Sequence, residues 1–81
     1  MLSLIGRHAT RAEALIEWQE VLLKAERWEE AEELVAAIFS ELRATQRGGR
    51  PVVDEHLKRL RANAVLLGYE EETAEVLAEI E

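Results

Sequence analysis

The fold of this chain is decided by residues 10–25, which read TRAEALIEWQEVLLKA. At about 100° per residue, four charged positions of a helix over this stretch fall in one narrow stripe, and Arg11 lies outside it. The stripe consists of Glu13, Glu17, Glu20 and Lys24. Apolar residues cover most of the remaining circumference, and one partner helix covers roughly a third of such a cylinder. The stretch therefore predicts a central helix that has neighbours on at least two sides and is hidden from water nearly all the way round.

The start of this helix is marked by Thr10 and Glu13, which match the S/T-x-x-E pattern of a capping box. In such a box the threonine oxygen accepts the Glu13 amide, and the glutamate reaches back to the Thr10 amide. The helix is therefore predicted to begin at Thr10. Residues 1–9 are too few for an independent element, and we interpret them as a short docking arm over the open end of the core.

Three further helices are predicted downstream. From Trp28 to about Thr45 the apolar residues gather on one face, which is typical of a one-sided helix. Residues 46–50 contain two glycines and predict a flexible loop. Pro51 suits the first position of the third helix, and Gly68 suits its C-terminal cap. A fourth helix then runs to the end of the chain, and no stretch alternates in the manner of a β-strand.

An all-α fold follows from this pattern, either a small four-helix bundle or two stacked helical hairpins. With 81 residues, the chain is long enough for one core but not for two. We predict a single helical domain over residues 1–81. It divides into a docking arm over 1–9, a first helical hairpin over 10–45, a loop over 46–50 and a second helical hairpin over 51–81.

The charge of the chain is unevenly distributed. The net charge is −7, but residues 42–61 carry six basic residues against two acidic ones, a net charge of +4, so the rest carries −11. Such a polarity favours a charged partner or head-to-tail self-contact, unless the charges are only solvated. The acidic body repels a nucleic-acid duplex and no recognition motif is present, which argues against nucleic-acid binding.

The residue types that carry chemistry do not fall into a catalytic pattern. There is no cysteine, which excludes disulfides and thiolate chemistry and fits the reducing cytoplasm. The two histidines, His8 and His56, have no metal-site spacing. The acidic run over residues 29–33 is similar to the first carboxylate cluster of all-α, magnesium-dependent nucleotide pyrophosphohydrolases. That chemistry needs a second inward-facing acidic motif, so we interpret the run as solvated glutamates at a helix N-terminus.

We accordingly predict no enzyme, no catalytic residue, no metal and no cofactor. The apolar run at the N-terminus is shorter than the core of a signal peptide, and no later run approaches the length of a membrane span. We therefore expect an untargeted cytoplasmic protein that makes no membrane contact.

Two stretches resemble the turn of a tetratricopeptide-repeat unit, in which an aromatic residue, an acidic pair and a small residue open the second helix. They are RWEEA at residues 27–31, after VLLKA at 21–25, and GYEE at residues 68–71, after VLL at 65–67. Trp28 and Tyr69 lie 41 positions apart, against about 34 in the family. Gln19 and Glu72 stand where the family has small residues.

The resemblance implies a scaffold that exposes one groove, binds a peptide or protein and carries no chemistry. In such a scaffold the charged stripe of the first helix would line the groove and favour a basic partner segment. The simpler alternative is that the stripe is solvated. We expect the partner-binding residues to be Glu13, Glu17, Glu20, Lys24, Trp28, Arg43, Arg47 and Arg50.

The sequence therefore predicts a small helical protein-protein interaction or oligomerisation module that binds a protein, a peptide or a second copy of itself. A homodimer is expected because four short helices would leave an apolar face uncovered around Ile16, Leu23 or Leu66. Two alternatives stay open. One is an acidic regulatory protein that occupies a basic nucleic-acid-binding surface on its target. The other is a natural or engineered helical scaffold with a ligand or catalytic pocket formed by His56, Asn63 and Trp18.

Overall fold

The computed structural model describes residues 7–80, which form four α-helices and one short 3-10 helix. The α-helices are α1 Arg7–Lys24, α2 Trp28–Ala44, α3 Asp54–Leu67 and α4 Glu70–Ile80, and the 3-10 helix Thr45–Arg47 follows α2 directly. No strand occurs among these residues. The prediction of a small all-α fold is confirmed.

The helices are arranged as two hairpins that lie against each other. α1 packs against α2 and α3, and α4 packs against the same two helices. The helices therefore occupy the corners of a four-helix bundle, with α1 diagonally opposite α4. The prediction that α1 has neighbours on two sides is confirmed.

The core is built around the small residues of α1. Ala9 and Ala12 are almost completely buried, which lets α1 approach its neighbours closely. Ile16 joins them in one cluster with apolar residues of the other helices and of the α2–α3 connection. Those residues are Ile38, Leu42, Val52, Leu60, Val76 and Leu77. A second, smaller cluster lies at the other end of α1, where Leu22 and Leu23 pack against Ala31.

The prediction that α1 is hidden nearly all the way round is wrong. Ile16 and Leu23 are buried, but the side chains of Trp18 and Val21 are 53% and 54% exposed. The reason is the bundle itself, because a helix at a corner has two neighbours and keeps its outer face in water. Of the residues expected to form an uncovered apolar face, only Leu66 is exposed.

The first helix begins earlier than the sequence indicates. Helix α1 already includes Arg7, so Thr10 lies inside it and the capping-box prediction is wrong. Ala9 extends the buried face by one turn, and the His8 imidazole contacts the Glu41 carboxylate of α2 at 2.8 Å. Residues 7–9 of the predicted docking arm therefore belong to α1, and residues 1–6 lie outside the described part of the chain.

The connection between α2 and α3 also differs from expectation. The predicted loop over 46–50 is helical at its start, and Pro51 does not open α3, which begins at Asp54. Val53 has an extended conformation and is the N-cap, while Val52 is buried in the core. An extended segment after Gly49 places the Val52 side chain inward, and this burial moves the start of α3 beyond the proline. Gly68 caps α3 as predicted, with a left-handed φ of 81°.

A buried hydrogen-bond network ties three helices together. The Gln19 side chain of α1 donates through Nε2 to the Ala31 carbonyl of α2 at 2.8 Å. Asn63 of α3 donates through Nδ2 to Gln19 Oε1 at 3.1 Å and to the Ile16 carbonyl at 3.3 Å. Both amides are at most 3% exposed, so the hydrogen bonds compensate for the loss of water.

This network makes a stability prediction. Asn63→Leu and Gln19→Leu should each lower the free energy of unfolding by about 1–3 kcal/mol, because each leaves a buried polar partner unsatisfied. The double variant should lose less than the sum of the two, since both polar groups are then gone. Urea unfolding followed by circular dichroism measures all three values. Additive losses would show that the two side chains do not interact.

Candidate functional site

The acidic stripe of α1 faces the basic part of the chain. Glu17 Oε1 lies 3.0 Å from His56 Nε2 and 3.5 Å from Arg59 of α3. Glu20 lies 3.9 Å from the same arginine and 3.0 Å from Lys24. The stripe thus contributes ion pairs between α1 and α3. Within residues 7–80, three of the six basic residues of segment 42–61 form ion pairs, namely Arg43, Arg50 and Arg59.

Glu13 is the most strongly held member of this stripe. Its two carboxylate oxygens accept hydrogen bonds of 2.6 and 2.7 Å from the two terminal nitrogens of Arg50. Oε2 also accepts a hydrogen bond of 3.1 Å from the backbone N–H of Val53. The Arg50 hydrogen bond is the main cause that lowers the pKa of Glu13 from 4.5 to about 2, against the opposing effect of burial. The same hydrogen bond raises the pKa of Arg50. Glu13 therefore clamps the α2–α3 connection onto α1.

The remaining predicted partner-binding residues lie in other places. Arg43 of α2 contacts Glu79 of α4 at 3.0 Å, and Arg47 is exposed in the 3-10 helix. Trp28 opens α2 with its side chain 46% exposed. The structure therefore brings together the stripe and Arg50, but it does not bring Trp28, Arg43 and Arg47 into one site with them.

The Glu13 clamp predicts a specific dependence of stability on pH. The folded-state pKa lies below the ordinary value, so the clamp stabilises fully above pH 4.5, and the contribution is lost as the pH falls towards about 2. Glu13→Gln should cost about 1–2 kcal/mol at pH 7, because the half-exposed Arg50 is partly screened by water. The difference in free energy of unfolding between wild type and variant, measured by urea unfolding, should become smaller as the pH falls from 4.5 towards about 2. A difference in free energy of unfolding that does not change with pH would contradict a stabilising role of the Glu13–Arg50 pair.

A wide groove of about 640 Å³ lies on the α2–α4 side of the bundle. Its lining consists of Glu29, Glu32, Glu33, Val35, Ala36, Phe39, Tyr69 and Glu72. The apolar members come from the edge of the apolar face of α2, where Val35 and Phe39 are only partly buried. The groove therefore combines apolar surface with four carboxylates.

These four carboxylates are not neutralised in the way that the α1 stripe is. Within residues 7–80, none of the ion pairs includes any of these four carboxylates. Glu32 instead accepts a hydrogen bond of 2.7 Å from the Tyr69 hydroxyl, which raises the pKa of Tyr69 above its ordinary 10.0. Glu72 adds to this effect through its charge. The groove is a site of concentrated negative charge beside apolar surface.

Sequence reasoning interpreted Glu29, Glu32 and Glu33 only as solvated residues at a helix N-terminus. The missing information was the position of α4, which brings Tyr69 and Glu72 beside them from a distant part of the chain. A signal was nevertheless present. Phe39 lies at the edge of the apolar face of α2, on the side where the glutamates begin, and a large aromatic residue at such an edge is typical of a partly open apolar surface.

The structure does not assemble the alternative chemical sites. Asn63 is bonded to Gln19 in the core, and the groove that it lines beside Leu23 and Leu66 contains neither His56 nor Trp18. Among residues 7–80, no group of three or more histidine, aspartate or glutamate side chains is arranged to hold a metal ion. In the same part of the chain, no helix combines the length and apolarity that a membrane crossing requires.

Comparison with known proteins finds no matching family model, no matching curated protein and no matching solved structure.

Proposed function

We propose that this protein is a small helical interaction module whose α2–α4 groove binds a basic, amphipathic segment of a partner protein. The observation that carries the proposal is the combination in one groove of partly exposed Val35 and Phe39 with four carboxylates that have no ion-pair partner within residues 7–80. Apolar contact supplies affinity, and the carboxylates select a cationic partner.

The combination of apolar residues and carboxylates in the groove lining favours an amphipathic helix as the occupant. A helix that lies along α2 and α4 would place apolar residues at positions i, i+3 and i+4 against the floor, in the manner of other helix-in-groove complexes. Lysine or arginine at the flanking positions would then meet Glu29 and Glu33 on one side and Glu72 on the other. Such charges at the rim mainly set partner choice and the rate of association.

Binding accounts for the groups in this groove better than catalysis does. They are carboxylates and one phenol, and the phenol donates to Glu32 at 2.7 Å. Catalysis by such groups needs an acid and a base with separated pKa values or a held metal ion. The tetratricopeptide-like character of the hairpins and a cytoplasmic location remain parts of this proposal.

An acidic regulator that occupies a basic nucleic-acid-binding surface on its target is the second candidate. The observation in its favour is the same concentration of negative charge around Glu29, Glu33 and Glu72. The two candidates differ in the part that Phe39 takes. In the first candidate Phe39 contributes to affinity, whereas the second rests on charge and its affinity falls steeply with added salt.

The proposal predicts a charge-selective loss of binding. The probe is a fluorescently labelled synthetic helical peptide with leucines along one face and lysines on both flanks, and its anisotropy reports binding. Glu33→Gln with Glu72→Gln should weaken binding about tenfold at low salt, since each rim charge contributes roughly 0.7 kcal/mol. Phe39→Ser should weaken it further.

The matched control is Glu70→Gln with Glu71→Gln, which changes the net charge equally in the same first turn of α4, outside the groove lining. This control should bind like wild type. Equal losses in both double variants would contradict a groove site and indicate general charge attraction. An unchanged affinity in Phe39→Ser, with a steep salt dependence, would favour the acidic-regulator function instead.

A further inference from the structure

Helix α1 carries an apolar stripe on its outer face. Ala14, Trp18 and Val21 are exposed on the helix, and Ala25 is exposed directly after its end. At about 100° per residue the four positions fall within roughly 60° of one another. They lie opposite the buried face that includes Ile16. Trp18 and Val21, which are 53% and 54% exposed, are not needed to complete the core, because neither belongs to a core cluster.

We propose that this stripe pairs with the same stripe of a second copy, with the two α1 helices antiparallel about a twofold axis. The positions of these four residues along the helix are symmetric about one point, which suits pairing with a second copy. The midpoint between Trp18 and Val21 along the helix is also the midpoint between Ala14 and Ala25. A twofold axis through this point places Trp18 of one copy opposite Val21 of the other. It likewise places Ala14 of one copy opposite Ala25 of the other. Large side chains then meet at the centre, and small ones allow close approach at the ends.

The charges at the two ends of the stripe favour the antiparallel arrangement. Arg7 and Arg11 lie at the N-terminal end, where Arg11 makes only a long contact of 3.9 Å with Glu41. Glu26 lies at the C-terminal end, where no ion pair within residues 7–80 involves it. The two basic residues beside Glu26 are already paired, Lys24 with Glu20 at 3.0 Å and Arg27 with Glu30 at 2.5 Å. An antiparallel pair brings arginine towards Glu26, whereas a parallel pair would set like charges together.

The size of the stripe sets the strength of the pairing. A helix of 18 residues is about 27 Å long, and one helix-helix contact covers less than the roughly 800 Å² per partner that is usual in stable complexes. The expected dimer is therefore reversible and forms at micromolar concentration or above. Because α1 is diagonally opposite α4, the pairing leaves the α2–α4 groove of both copies open. It does not depend on the proposed function of that groove.

The test is the molecular mass in solution by sedimentation equilibrium, from low to high micromolar concentration. The wild type should rise from 9.2 kDa towards twice that mass, and Trp18→Glu with Val21→Glu should stay at 9.2 kDa throughout. The matched control is Val65→Glu with Leu66→Glu, which adds the same charges to equally exposed apolar residues of α3, 57% and 61% exposed. This control should associate like wild type. Circular dichroism shows that each variant is folded.

Charge reversal tests the orientation of the pair. Arg11→Glu alone and Glu26→Arg alone should each weaken association, and an equimolar mixture or the double variant should recover it. A wild type that stays at 9.2 kDa at every concentration would overturn the proposal. Equal loss of association in the α3 control would overturn the assignment to α1, and failure of the reversal to recover association would overturn the antiparallel arrangement.

Discussion

The hydrogen bonds of the Gln19 side chain determine which face of α1 is inside the bundle. An amide that is 1% exposed must find partners, and Gln19 finds them in the Ala31 carbonyl of α2 and the Asn63 side chain of α3. With this rotation of α1 the acidic stripe meets α3, where Glu17 and Glu20 form their ion pairs. The same rotation leaves Trp18 on the outside. The internal ion pairs and the outer apolar stripe are two consequences of one buried contact.

The net charge of −7 divides into two parts with different physical meaning. On the α1–α3 side, carboxylates and bases neutralise each other across the helix interface, and Glu13 with Arg50 also holds the connection that precedes α3. On the α2–α4 side, the carboxylates around Phe39 have no such partners among the described residues. Four of the unpaired carboxylates are therefore gathered at the groove, an arrangement that attracts a cationic partner to a defined place.

For residues 7–80, the sequence predicted the four α-helices, the absence of strands and the cap at Gly68, because these follow from local periodicity and backbone conformation. It did not predict the start of α3, because the burial of Val52 against distant helices overrides the preference of Pro51 for a helix start. It also treated Gln19 as an anomaly, although that residue has the central polar contact. The groove was beyond local reasoning, since Glu32 and Tyr69 meet only in the folded chain.

The most direct test of this account is the hydrogen exchange of the Gln19 side-chain amide, observed by NMR in the native protein. Burial and the hydrogen bond to the Ala31 carbonyl predict side-chain amide protons that exchange far more slowly than those of a glutamine in an unstructured peptide, with nuclear Overhauser contacts to the Asn63 side chain. Exchange as fast as that of the peptide glutamine, without such contacts, would contradict the orientation of α1 on which the proposed pairing surface depends.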